Sequence, residues 1–408
     1  MLEKIESCKN VTNLFKPDQR GRKINCYLLR DCKFGKDNLC YPDVVIKDLH
    51  SNTLYNPLQE RTMSLSALKT NEANKHSDLK FSDNTSVFEC PVFYFIYDTQ
   101  NYYHFLYDTL PYLISYLKLR KQKPNLKLLM NNKSGKKDDF YAFVKETLEI
   151  LDVTNAVVLA DADVKYKEMY ISDSYTHGPD SNQSPREEIF DLFKLLKQNS
   201  LLKTDSINTP KKIYVSRRAW LHNKFDNIGT NYTSRRVLKN ENQLVDKLSE
   251  KGYAEVFPEN MTMVEKINLF SNASSVVGII GGGIANSVFL EPSAHLYAII
   301  SPGFLEINSR FIFCLNRQQL HLLQFTEHFS KSEFKKFMRV SYNGKYGEIY
   351  DINADYLMIN EAKGIVSGWP SDADYNKVMV HKSECKKLDN GLNSAFVLDI
   401  SKSMEMIQ

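Results

Sequence analysis

Several things are missing from this chain, and each absence closes off a class of function. Its seven cysteines (Cys8, Cys26, Cys32, Cys40, Cys90, Cys314 and Cys385) contain no C-x-x-C pair. Without paired thiolates at ligand spacing, a structural zinc site is not expected. An odd, scattered set fits free thiols in a reducing compartment, with a pairing inside the Cys26, Cys32, Cys40 cluster left open. No run of ~18 apolar residues occurs, so no transmembrane helix is expected. The opening "MLEKIESCKNVTNLFKPDQRGRK" lacks an apolar h-region. No secretory leader is therefore expected, and a cytoplasmic location follows as the expectation. The sequons at 231–233 and 272–274 carry no weight without a leader. A one-sided charge is also missing: 53 basic against 49 acidic residues leave a net +4, too small a bias to argue for a nucleic-acid partner.

What is present is enough chain, 408 residues with 42% hydrophobic content, for two cores. Residues 1–87 read as an irregular extension of an N-terminal α/β domain over 1–202. Within it, 87–98 reads as a buried strand and 101–122 as a helix that Pro111 kinks or restarts. Further on, 164–179 reads as two short strands with a turn. The polar, proline-bearing stretch 203–212 reads as a linker. A second α/β domain is expected over 213–330, where "KIYVSRR", "AEVFPEN", "SSVVGIIG" and "AHLYAIIS" alternate with helical patterns. Residues 331–408 are an extension without an assigned role, read as a helix running into a strand and a later strand over "NSAFVLDISKSM". Two α/β halves imply a cleft, and parallel sheets place ligands at the carboxyl ends of their strands.

Three constellations carry chemistry. "GIIGGGIAN" puts Gly281, Gly282 and Gly283 between a strand and a predicted helix. The spacing fits a dinucleotide fingerprint poorly, which sets aside a nicotinamide-dependent oxidoreductase. Backbone amides freed by glycine still suit an anion, although packing of helix on sheet also calls for glycine. Arg217 and Arg218 end a predicted strand on the same edge, and Arg235 and Arg236 precede a helix. Arginines there suit a pyrophosphate; solvated surface charge is the first reading of any single one, and the strand-end position of Arg217 favours function. In "NYYHFLYDTLPYL", His104 and Asp108 stand four apart on one helical face, either an acid–base pair or a structural hydrogen bond.

The ordered set resembles the family-61 glycosyltransferases over about residues 90–305. The carrying residues are Tyr103, His104, Asp108, Leu110 and Pro111 in a "YYHWLLD-LP"-like helix, then Ser216 and Arg217 in a strand ending in "SR". Arg236, Asn240 and Glu241 match an "R-x-x-x-NE" element, and Gly281, Gly282, Gly283, Ala285, Asn286, Phe289 and Pro292 match a "HGAGLANLLF-P"-like loop. Ile280 departs from the histidine that often precedes those glycines. The resemblance implies two Rossmann-like domains facing across a cleft (a GT-B arrangement) and an inverting, metal-independent transfer from a nucleotide sugar, uridine-linked, to a glycan or protein hydroxyl. The "DAD" triplets at 161–163 and 372–374 lie in a turn and in the tail, where a metal-binding D-x-D is not expected.

On this reading His104 or Asp108 is the base. Arg217, Arg236, Asn240, Glu241, Gly281, Gly282, Gly283 and Asn286 bind the donor, with no cofactor, and the two halves close over it. A non-catalytic nucleotide- or glycan-binding module of the same fold is the alternative.

Overall fold

The computed structural model describes residues 24–36, 39, 44–57, 66–68, 80–83, 86–96, 99–132, 135–176, 187–202, 209–218, 237–299, 319–323, 325–326, 334–336, 338–361, 376–389 and 396–408. Two α/β units and a smaller all-β unit account for them. The first sheet contains β1 (Cys26–Phe34), β2 (Ile46–Asp48), β3 (Leu54–Asn56), β4 (Ser66–Ala67), β5 (Ser86–Phe88), β6 (Val92–Tyr94), β7 (Lys127–Met130), β8 (Val157–Leu159) and β9 (Val164–Ser172). Its order is β4-β3-β2-β1-β9-β6-β7-β8, with β5 also on β9. The β9-β6-β7-β8 portion is parallel, while β1 meets β9 antiparallel. The sheet is therefore mixed. The predicted strand over 87–98 is broken between Phe88 and Val92, where Pro91 has no amide for a ladder. Residues 164–172 form one nine-residue strand where two short ones were expected.

The second sheet is wholly parallel, in the order β11 (Ala254–Val256), β10 (Lys212–Val215), β12 (Ser275–Ile279), β13 (His295–Ile299) and β14 (Gln319–Leu323). Its strands read as continuous apolar runs because both faces are covered. Ile213, Val215, Val276, Leu296 and Ala298 face one core, and Tyr214, Val277, Tyr297 and Ile299 face another. That alternation is the two-residue period of a pleated strand.

The first of those cores is shared. The same apolar cluster holds Phe93, Phe105, Tyr112 and Leu128 of the N-terminal half and Ile267, Phe270, Ile284 and Phe289 of the C-terminal half. Four helices bear on this arrangement, α1 (Tyr102–His104), α2 (Leu113–Gln122), α3 (Ala142–Ile150) and α4 (Glu187–Leu201), while a fifth, α5 (Glu241–Glu250), packs on the other core. A sixth, α6 (Met263–Asn272), packs on α3 and α4 across the seam. It starts at a capping box, Thr262 with Glu265, which satisfies its first amides.

The second core is closed by the end of the chain. β21 (Val397–Leu398) pairs with β15 (Phe325–Thr326), and α7 (Ile400–Met406) follows, capped by Asp399. Phe396, Leu398 and Ile407 join Tyr214, Leu244 and Tyr297 there. The strand expected over "NSAFVLDISKSM" is thus short, and Asp399 converts the rest to helix. Between these pieces, β16 (Arg339–Tyr342), β17 (Lys345–Ile352), β18 (Tyr356–Glu361), β19 (Asn376–His381) and β20 (Lys386–Asp389) form an antiparallel sheet around Val340, Ile349, Leu357 and Ile359. No helix of the described residues is long and apolar enough to cross a membrane.

Candidate active site

Asn101 opens the helix that carries the histidine. Its side-chain oxygen accepts from the amides of Tyr103 and His104, the role of an N-cap. The helix then changes pitch twice. Phe105–Thr109 is a π-turn, closed by the Leu110 amide donating to the Phe105 carbonyl, and Leu110–Tyr112 is a 3-10 turn before α2 resumes. Pro111 explains the change. It has no amide, and in a regular helix its ring collides with the carbonyl one turn back. The wide turn relieves that collision, and such bulges recur at functional sites.

Within this turn His104 Nδ1 lies 2.6 Å from Asp108 Oδ2. Asp108 is 1% exposed at its side chain, whereas His104 is 34% exposed. The other oxygen of Asp108 accepts from Thr176 Oγ1 at 3.0 Å. Thr176 lies just beyond the end of β9, so the first sheet orients the carboxylate and the carboxylate orients the ring. No spacing rule in the sequence links Thr176 to Asp108, and only the fold brings them together.

The same helix docks on the glycine turn of the other half. Tyr107 Oη donates to the Ala285 carbonyl at 3.0 Å, and Tyr102 Oη donates to Asn286 Oδ1. The Asn286 amide donates in turn to the Gly283 carbonyl at 2.8 Å. None of Gly281, Gly282 and Gly283 sits at positive φ. Gly283 is needed because a Cβ there would lie 2.8 Å from Val215 Cγ1 of β10. Gly282 faces the Tyr102 ring, 3.9 Å from where its Cβ would be. After them comes a six-residue 3-10 turn, Ile284–Phe289, in place of the expected helix. The amides of Gly281, Gly282 and Gly283 have no hydrogen-bond partner among the described residues. Ile280 points away from this turn into the shared core, and its amide donates to the Ile299 carbonyl.

Arg217 lies two residues beyond Val215, which pairs with Gly278. The carboxyl ends of β10 and β12 therefore adjoin, with Arg217 on one and the glycine turn on the other. Glu241 is buried behind Arg217. One of its oxygens accepts from Tyr214 Oη at 2.8 Å, Ser216 Oγ at 3.3 Å and the Arg217 amide at 2.7 Å. Burial pushes this carboxyl up, and the Arg217 amide and Tyr214 hydroxyl pull it back. Asn240, its neighbour, leaves its helix uncapped and grips the tail: Nδ2 donates to the Leu398 carbonyl at 2.8 Å and Oδ1 accepts from the Leu398 amide at 3.1 Å. Arg218 forks onto Glu255 through Nε and Nη2 and donates from Nη1 to Asn242 Oδ1. Arg235 and Arg236 lie outside the described residues.

The arrangement thus brings the helix of His104 and Asp108 onto one seam with Gly281, Gly282, Gly283 and Asn286, with Arg217 at the adjoining strand end, and it turns Glu241 to the support of that strand end and Asn240 to the tail. Tyr102, Tyr107 and Thr176 join the site without a signal in the sequence beyond the aromatic character of 102–107. Among the described residues no three His, Cys, Asp or Glu side chains converge as a metal site would require. The family model described as Glycosyltransferase 61 matches residues 102–297, a span that opens at Tyr102 and takes in the whole seam. No curated protein matches the chain.

Proposed function

From a chain whose residues 102–297 match the model of glycosyltransferase family 61, we propose an inverting transferase that moves a sugar from a uridine-linked nucleotide sugar to a hydroxyl of a glycan or glycoprotein. The observation that carries the reading is the His104–Asp108 pair, one member buried and fixed, the other open. A carboxylate on Nδ1 sets the tautomer and orientation of an imidazole, so that proton transfer takes place at Nε2. Of the two candidate bases, the exposed His104 is then the one that reaches substrate, with Asp108 behind it.

On this reading the acceptor O–H loses its proton to His104 as its oxygen attacks the anomeric carbon. The new C–O bond forms while the bond from that carbon to the diphosphate breaks on the opposite face, which inverts the centre. The departing diphosphate is received by the amides of the glycine turn and by the guanidinium groups of Arg217 and Arg236, without a metal. Asn286 shapes the turn, Glu241 holds the Arg217 strand end, and Asn240 anchors the tail beside it. The GT-B reading rests on the two α/β units meeting at this seam. Their shared core supports a largely preformed site over a wide closing motion.

The test is transfer measured against diphosphate binding. His104→Ala and Asp108→Asn are expected to lower kcat by at least about a hundredfold, the scale of a positioned acid–base group, with uridine diphosphate affinity by calorimetry within about threefold. Normal turnover by both variants would remove the assignment. An intact protein that binds the donor and never transfers or hydrolyses it would favour the binding-module alternative.

A further inference from the structure

Among the described residues, Lys266 is the buried cation that the proposed chemistry does not use. It sits on the core side of α6, with 5% of its surface exposed. Its ammonium makes no hydrogen bond or ion pair among the described residues, and lies 4.7 Å from the centre of the Tyr102 ring. Three carboxylates stand around it, Glu146 of α3, Glu259 before the α6 cap and Glu265 in the first turn of α6. Two of them are committed elsewhere: Glu146 accepts from the Met263 amide at 2.6 Å, and Glu265 accepts from Thr262. Burial holds the ammonium down to about 8. A charge kept in such a place opposes folding unless something offsets it.

The ring it sits on leads to the glycine turn. Tyr102 faces Gly282 with its Cδ1 edge, donates to Asn286, and Asn286 donates to the Gly283 carbonyl. An ammonium over an aromatic face attracts that ring and fixes its tilt. With the ring fixed, the hydroxyl and the amide beyond it are fixed as well. The positive charge also stands beside the ring that adjoins Gly282, in a turn whose three glycine amides have no hydrogen-bond partner among the described residues.

We propose that Lys266 is a positioning residue for anion binding, which holds Tyr102, Asn286 and the Gly281–Gly283 turn in their receptive arrangement and places a positive charge beside the ring that adjoins that turn. The proposal rests on the donor-diphosphate reading of the turn and adds to it a residue of α6 that tunes its affinity through the Tyr102 ring.

The experiment compares the intact protein with Lys266→Met, which keeps length without charge, and Tyr102→Phe, which keeps the ring without the hydroxyl. Uridine diphosphate and inorganic pyrophosphate are titrated by calorimetry, with melting temperature measured in parallel. Lys266→Met is expected to bind both probes about tenfold more weakly, the scale of a lost charge-assisted interaction, while its melting temperature holds or rises. Tyr102→Phe is expected to weaken both probes several-fold and to raise the donor KM by a larger factor than it lowers kcat. A residue that merely supported the fold would lose stability and affinity together, and that result overturns the proposal. Wild-type affinity in both variants overturns it as well, and leaves the donor reading standing. Absence of any binding by the wild-type protein takes down the donor reading itself.

Discussion

At the scale of single residues, polarity and burial divide the labour at the seam. Asp108 is buried with a donor on each oxygen, and His104 keeps a third of its side chain open. Lys266 shows the same tension in reverse and makes stability depend on pH. Its folded value lies near 8 against the ordinary 10.5. Between those two values the unfolded chain binds more protons than the folded one, so stability rises with pH through this window. Below pH 8 both states are protonated and the full cost of the buried charge is present. The difference in unfolding free energy between the wild-type protein and Lys266→Met is thus expected to narrow between about pH 8 and 10, by an order of magnitude of 3 kcal/mol. Denaturant titrations of both proteins at pH 7 and pH 10 read it directly; parallel behaviour at the two pH values would show that Lys266 does not titrate there.

At the scale of elements, the π-turn and the tail are the informative pieces. Pro111 announced an irregular helix in the sequence, but only the structure shows how it is resolved, by widening Phe105–Thr109 rather than by a break. The His104–Asp108 spacing was legible because four residues share a helical face, and it survives the wider turn. The partner Thr176 was not legible, since nothing local encodes a hydroxyl 68 residues away. The glycines were readable as a close approach, but Val215 and Tyr102 as the groups approached were not. Asn240 shows the limit most clearly. At the start of a helix it reads as a cap or a ligand, yet its amide closes two hydrogen bonds on Leu398. Asn240→Ala is expected to cost about 1–3 kcal/mol by stranding those backbone groups, measured by urea unfolding. An equal loss should appear in Leu398→Pro or truncation before residue 396 only on top of the exposed core of Phe396 and Ile407.

For the whole molecule, the placement of cores sets the units of cooperativity. The parallel sheet and the parallel part of the first sheet share one core, and the 334–389 sheet has its own. Hydrogen exchange is expected to show β6–β7 and β10–β13 opening together, with the strands β16–β20 opening on an independent and lower free energy. Independent opening of the two α/β halves would contradict a shared core. The sequence by itself determined the α/β class of the fold and the resemblance to family 61 that the family model bears out. Apolar runs, glycine clusters and a four-residue spacing are local patterns, and local patterns survive in one dimension. Only the tertiary structure decided what each residue faces: that the helix carrying His104 meets a glycine turn from the other half, that Glu241 braces a strand end while Asn240 grips the tail, and that the last described helix seals the parallel sheet. Those facts depend on which surfaces are buried against each other, and burial is a property of the packed whole.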